Sequence, residues 1–165
     1  MDLTQKTNSK IIKVLHVDRD MEFLIVSKEI LRLLGNFEID LATTILKANK
    51  AIKRKKYDVI ISGYRLGEKN ELELIRELRA KESKIPFIIF SVHREISSEA
   101  LNLGATAFIE KEGDCERVYA TLSNSIKRAN RNKVPRNLVS NKSFNQIAEH
   151  FEKELEQEKR SNGHL

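Results

Sequence analysis

This chain of 165 residues has no tryptophan, one cysteine and two prolines. Because Cys115 stands alone, no internal disulfide can form, and a reducing compartment is expected. No apolar run approaches the roughly 20 residues that a membrane-spanning helix needs. The first ten residues, MDLTQKTNSK, contain no apolar segment of the kind that signal peptides carry. We therefore predict a cytoplasmic protein without membrane association.

The sequence also lacks the common catalytic and cofactor-binding motifs. No glycine-rich phosphate loop follows the first apolar segment, where VDRDMEF stands. There is no nucleophile elbow, and no His/Cys spacing typical of a metal site. We therefore predict that the chain is not an enzyme and has neither a cofactor nor a bound metal.

Positive charge is concentrated at the C-terminal end. The formal net charge is +6 and the sequence pI is about 9.4. Residues 11–126 hold 19 basic and 18 acidic side chains, whereas residues 127–165 hold nine and five. A nucleic-acid-binding body would show a basic face, so the nearly neutral central part does not favour nucleic acid as a partner.

Short apolar segments alternate with helical patterns through most of the chain. The apolar segments are IIKVLHV, FEIDLA, YDVIIS, PFIIFS and AFIE. Each is followed by a stretch with apolar residues at helical spacing; the first of these stretches ends at Gly35, in the position of a C-terminal cap. Five near-continuous apolar strands alternating with helices predict an α/β fold with a doubly wound, five-stranded parallel sheet.

The residues after this alternation predict a separate C-terminal element. Residues 131–142 are basic and irregular, with Pro135 among them. Ser143 and Gln146 then form a capping box for a helix over residues 143–160 with a narrow apolar stripe. We predict a flexible N-terminus at 1–10, a domain at 11–130, a linker at 131–142, an extra amphipathic helix at 143–160 and a flexible tail at 161–165.

In a parallel sheet of this kind, the functional residues lie beyond the carboxyl ends of the strands. The residues at those positions are Asp18, Arg19 and Asp20, then Ser62 and Gly63, then Ser91, and finally Lys111. His16 lies inside the first strand, where a packed core residue is favoured over a ligand.

Four segments resemble the motif regions of the receiver domains of two-component response regulators: VLHVDRDMEFL, YDVIISGYRL, IPFIIFS and LGATAFIEKEGD. The resemblance covers residues 11–130, and ALNLGATAFIEKEGD is similar to archaeal receivers in particular. It implies a flavodoxin-like fold and a phosphorylation switch. In such a switch an acidic pair holds magnesium, an aspartate takes the phosphoryl group, and a hydroxyl residue and a lysine bind that group.

Only part of that set is present here. Carried over by the resemblance, Asp18 matches the first acid, Ser91 the hydroxyl residue, Phe108 the aromatic switch position and Lys111 the lysine. Gly63 stands at the position of the phosphoacceptor aspartate.

The second acid is replaced as well, by Arg19. Asp18, Arg19 and Lys111 together give the pocket a net charge of +1, which Asp20 would bring to zero if it turned inward. Magnesium prefers one or two carboxylates, so this is a poor metal site. A lone buried charge is costly, and we therefore expect Asp18 to pair with Lys111 or Arg19.

The resemblance and its departures predict a degenerate receiver that works as a phosphorylation-independent interaction module. Its partner would be a protein: a histidine kinase, a response regulator or a downstream signalling protein. The 143–160 helix could also support a weak homodimer. The alternative is a nucleic-acid-binding regulator that uses the basic C-terminal tail.

Overall fold

The computed structural model describes residues 10–63 and 71–132. Five parallel strands form one sheet in the order β2-β1-β3-β4-β5. This is the order of flavodoxin-like doubly wound sheets, and the predicted fold class is confirmed for the described residues. The elements are β1 (Ile12–Val17), α1 (Met21–Leu34), β2 (Phe37–Ala42), α2 (Ile45–Arg54), β3 (Val59–Ser62), α3 (Glu71–Ala80), β4 (Phe87–Ser91), a 3-10 helix (Arg94–Ile96), α4 (Ser97–Asn102), β5 (Ala107–Glu110) and α5 (Cys115–Arg131).

The helices begin where short polar side chains can cap them. Asp20, Thr44 and Asp114 precede α1, α2 and α5, and each accepts a hydrogen bond from a backbone N–H in the first turn. Gly35 ends α1, but with φ −171° it is extended and not left-handed. Glycine is needed there because an added Cβ would overlap the ring of Phe37.

The sheet separates two apolar layers. Alternate strand residues such as Leu15 and Ile60 pack with α2, α3 and α4, while Val14 and Ile61 pack with α1 and α5. The two layers explain why the strands are apolar on both faces. In the described part of the chain, no helix is long and apolar enough to cross a membrane.

The predicted linker begins too early, because Arg131 still belongs to α5 and Asn132 is its C-cap. The rest of the linker, the helix at 143–160, the tail and residues 1–9 of the predicted flexible N-terminus lie outside the described residues, so those predictions stay predictions. The core that the structure describes runs from Ile12 to Ala129. Its last helix is tied to α1, since Ser123 Oγ and Lys127 Nζ both donate to Leu34 O, at 3.3 and 2.8 Å.

Truncation after Asn132 should therefore leave this domain folded. Each fully buried aliphatic side chain contributes about 1.5–3 kcal/mol, and the truncation removes none of those between Ile12 and Ala129. We expect the melting temperature of the truncated chain, followed by far-UV circular dichroism, to stay within a few degrees of the full chain. Unfolding of the truncated chain would show that residues 133–165 belong to the core.

Candidate functional site

An ion pair joins the ends of β1 and β5. Asp18 follows β1, and its N–H donates to Ala42 O at 3.0 Å, which continues the pairing with β2. Lys111 follows β5, and its N–H donates to Ser91 O at 3.0 Å. Lys111 Nζ donates to Asp18 Oδ2 at 2.7 Å, and the two side chains are only 20% and 10% exposed. Of the two partners expected for Asp18, the structure therefore selects Lys111.

Gly63 lies directly beneath this ion pair. Its N–H donates to Val17 O at 2.9 Å, which holds the end of β3 against the end of β1. A Cβ added at Gly63 would lie 3.2 Å from Asp18 Cγ and well inside the contact distance of Asp18 Oδ2. The backbone of Gly63 is not left-handed, so glycine is required for room. The Asp18 carboxylate occupies the space that a side chain at position 63 would need.

Both oxygens of the Asp18 carboxylate are already engaged. Oδ2 accepts from Lys111, and Oδ1 accepts from the backbone N–H of Asp20 at 3.0 Å. The side chain of Asp20 is exposed, and its Oδ1 accepts from Phe23 N at 3.0 Å as the cap of α1. The prediction that Asp20 adds an acid to the pocket has no supporting contact among the described residues.

The magnesium site that the resemblance implies does not fit the residues present. Arg19 stands at one of its acidic positions, and the side chain of Arg19 is exposed. Magnesium needs free carboxylate oxygens, whereas those of Asp18 are bound to Lys111 and to a backbone N–H. Within residues 10–63 and 71–132, no group of three or more His, Cys, Asp or Glu side chains could hold a metal ion.

Two phenylalanines that the sequence analysis did not single out contact Lys111. Its ammonium lies 3.9 Å from the ring centre of Phe23 and 5.5 Å from that of Phe90. A cation over an aromatic face is stabilised by about 0.5–2 kcal/mol. Phe90 precedes Ser91 in β4, and Phe23 lies in the first turn of α1. Only their position next to a strand end could have marked them in the sequence.

Ser91 is the last residue of β4, and Phe108 lies on β5. Ser91 is 2% exposed, and its Oγ accepts from His93 N at 3.1 Å. Phe108 lies on β5 opposite Ile89 of β4 and packs, half-buried, with the layer formed by α2, α3 and α4. Ser62 is buried, and its Oγ donates to Gly63 O at 3.3 Å. The roles that the resemblance gives these residues stay predictions.

His16 is a core residue, as predicted. It is fully buried, and its Nδ1 lies 3.4 Å from Ser27 Oγ. Among the described residues its Nε2 has no hydrogen-bond partner. The pKa of His16 is lowered to about 3, mainly by burial; the charge of Asp18 acts in the opposite direction, and that of Lys111 acts in the same direction as burial. The imidazole is therefore neutral at physiological pH.

Comparison with known proteins places this geometry in a family. Residues 14–123 match the family model described as response regulator receiver domain. The transcriptional regulatory protein ZraR of Klebsiella oxytoca is 26% identical over 117 residues, which are 70% of this chain and 26% of ZraR. The chain thus spans about a quarter of the length of that relative.

Solved structures show the same fold. A CheY-like receiver domain protein from Methanospirillum hungatei JF-1 matches with a TM-score of 0.63 and 21% identity, over 74% of this chain and 98% of that one. The response regulator TrrA from Thermotoga maritima, solved in complex with Mg(2+)-BeF, matches with a TM-score of 0.63 and 23% identity, over 72% and 98%. The family model covers most of the described domain, and the sheet order is that of the flavodoxin-like fold. The chain therefore belongs to the response regulator receiver domain family.

Proposed function

We propose that this domain is a degenerate receiver that takes no phosphoryl group and signals through protein–protein contacts. The observation that carries the proposal is the Asp18 carboxylate, bonded to Lys111 at 2.7 Å and filling the space above Gly63. A phosphoryl acceptor needs a carboxylate at the end of β3, and the chain has glycine there. The lysine that would bind a phosphoryl group is already neutralised within the protein.

The family indicates only the general class of partner. Receiver domains interact with kinases and with other response regulators, and a domain without phosphotransfer keeps only its surface for such contacts. A ligand shifts a two-state equilibrium only through different affinities for the two states. Without a phosphoryl group Ser91 and Phe108 have no such ligand, so the domain would present one surface constitutively and would not act as an enzyme.

We expect no phosphorylation of this chain by acetyl phosphate and magnesium. The measurement is the intact mass after incubation, with and without hydroxylamine, beside a receiver that is phosphorylated under the same conditions. Beryllofluoride with magnesium should also leave the amide NMR spectrum unchanged around Ser91 and Lys111. A hydroxylamine-sensitive adduct would contradict the proposal.

A nucleic-acid-binding regulator remains the second candidate, and the charge of residues 127–165 is what favours it. These residues lie mostly outside the described part of the structure. The test is binding of duplex DNA by the full chain. Binding that decreases with rising salt and is lost on truncation after Asn132 would support this function.

A further inference from the structure

The solvent face of α2 carries positive charge and no negative charge. Helical spacing places five residues on this face: Leu46, Lys47, Lys50, Lys53 and Arg54. All five are exposed, and four of them carry a positive charge. No acidic residue occurs between residues 43 and 56, so no helix neighbour three or four positions away neutralises them. We call these five residues the α2 face.

Helix stability does not explain this arrangement. Cations near the C-terminal end favour a helix, which accounts for Lys53 and Arg54. Lys47, however, lies in the first turn, where the macrodipole repels a positive charge. Lys50 lies four residues before Arg54, and like charges at that spacing destabilise a helix. Residues placed against local stability are often found at functional sites.

Acidic groups border the α2 face on both sides. On one side Asn49 Nδ2 donates to Glu77 Oε2 of α3 at 2.9 Å. On the other side Lys55 pairs with Glu38 and, at 2.9 Å, with Asp40 of β2. The basic surface is therefore a single helix wide; Glu77 lies at one border, and at the other Glu38 and Asp40 lie close to the cations Lys55 and Lys28.

We propose that the α2 face binds an acidic helix of a partner protein, with Leu46 as an apolar contact at one end. The charges of the two helices can pair, because the cations at every third or fourth position of α2 can face carboxylates at the same spacing on another helix. A duplex presents its phosphates over a surface wider than one helix, so most of those phosphates would lie beyond the four cations of the α2 face. Leu46 is 65% exposed and offers an apolar contact that nucleic acid does not need.

The α2 face would define the kind of partner for the interaction function proposed above, and this inference rests on that function. The two can fail separately. Phosphorylation of the chain on an aspartate would remove the proposed function and leave helix binding intact, whereas failure of helix binding leaves the absence of phosphotransfer untouched.

The test uses the full chain and two labelled peptides of the same composition, each of roughly 18 residues because shorter isolated helices are marginal in water. One peptide carries its glutamates and one leucine on a single helix face, and in the other the same residues are scattered around the helix. Fluorescence anisotropy is measured at about 50 mM and about 500 mM salt, since screening weakens exposed charge pairs. We expect the one-faced peptide to bind more tightly than the scattered peptide, and its binding to weaken at high salt.

Three variants locate the surface. Replacement of Lys47, Lys50 and Lys53 by glutamine should weaken binding of the one-faced peptide about tenfold, as the loss of three exposed ion pairs predicts. Leu46→Ala should also weaken binding of the one-faced peptide, but the dependence of that binding on salt should stay the same. The matched control replaces three exposed cations elsewhere, Lys81, Lys84 and Arg128, by glutamine and should leave the affinity unchanged.

The α2 triple variant should melt at the same temperature as the parent chain or higher, because mutual repulsion is removed; this separates lost binding from lost folding. Equal affinity for the two peptides, or equal weakening in the control variant, would overturn the proposal in favour of general charge attraction. Tighter binding of duplex DNA or of phosphatidylglycerol vesicles than of the one-faced peptide, with the same dependence on the three lysines, would overturn it in favour of a phosphate-bearing partner.

Discussion

The Gly63→Ala chain is expected to be markedly less stable than the parent, although only one methyl group is added. That methyl group needs the space held by the Asp18 carboxylate, so Asp18 must move and its 2.7 Å bond to Lys111 must break. Overpacking costs roughly 1–3 kcal/mol. Breaking a buried ion pair costs roughly 3–5 kcal/mol. Because both side chains keep some exposure, we expect a loss of about 2–4 kcal/mol in the free energy of unfolding, measured by urea denaturation.

A double-mutant cycle separates the contact with Asp18 from a general cost of alanine at this position. The Asp18→Ala substitution removes the carboxylate and opens the space above Gly63. In that background Gly63→Ala should be nearly neutral, or stabilising by about 0.4–1 kcal/mol, because the unfolded chain loses conformational freedom. Asp18→Gly combined with Gly63→Asp should recover part of the lost stability, since it offers Lys111 a carboxylate from the other strand. If the losses of unfolding free energy caused by Asp18→Ala and Gly63→Ala simply add in the double variant, the proposed contact is contradicted.

Acidification is expected to destabilise the domain through His16. The folded pKa of about 3 lies below the ordinary value of 6.5, so the unfolded state binds the proton more readily. The stability that depends on neutral His16 is complete above pH 6.5 and decreases as the pH falls towards the folded value. At a pH about two units below the ordinary pKa, the expected loss is about 3 kcal/mol, because each pKa unit corresponds to somewhat more than 1 kcal/mol.

His16→Leu identifies this contribution among the other groups that titrate in acid. Leucine fills a similar volume and cannot take a proton, and it also removes the buried Nε2 that has no partner among the described residues. The free energy of unfolding of both chains is measured by urea denaturation between about pH 7.5 and 4.5. The variant should lose about 3 kcal/mol less than the parent over this range. Parallel curves for the two chains would show that His16 does not carry the effect.

Local features of the fold could be predicted because each depends on residues close together in the chain. The caps at Thr44 and Asp114 lie three residues from the N–H groups that they accept from, whereas the capping role of Asp20 was not predicted. The five apolar strands and the helical spacing between them are sufficient to predict the parallel sheet. Gly35 ends α1 as the spacing predicts, but the need for glycine there comes from the ring of Phe37, which an added Cβ would overlap, and not from a left-handed turn.

The sequence by itself determined that glycine follows the third apolar strand and that Arg19 stands where the resemblance to receivers expects an acid. It also placed charges of both signs at the strand ends, where a lone buried charge is costly. Only the tertiary structure decided how these charges pair. Asp18 had one cationic candidate next to it, Arg19, and another 93 residues away, Lys111. The distant one is the partner because β1 and β5 end at the same edge of the sheet, where Phe23 and Phe90 hold its ammonium beside the carboxylate. Arg19 points to solvent, where its charge is hydrated, and a partner for a buried charge is selected by packing and not by distance along the chain.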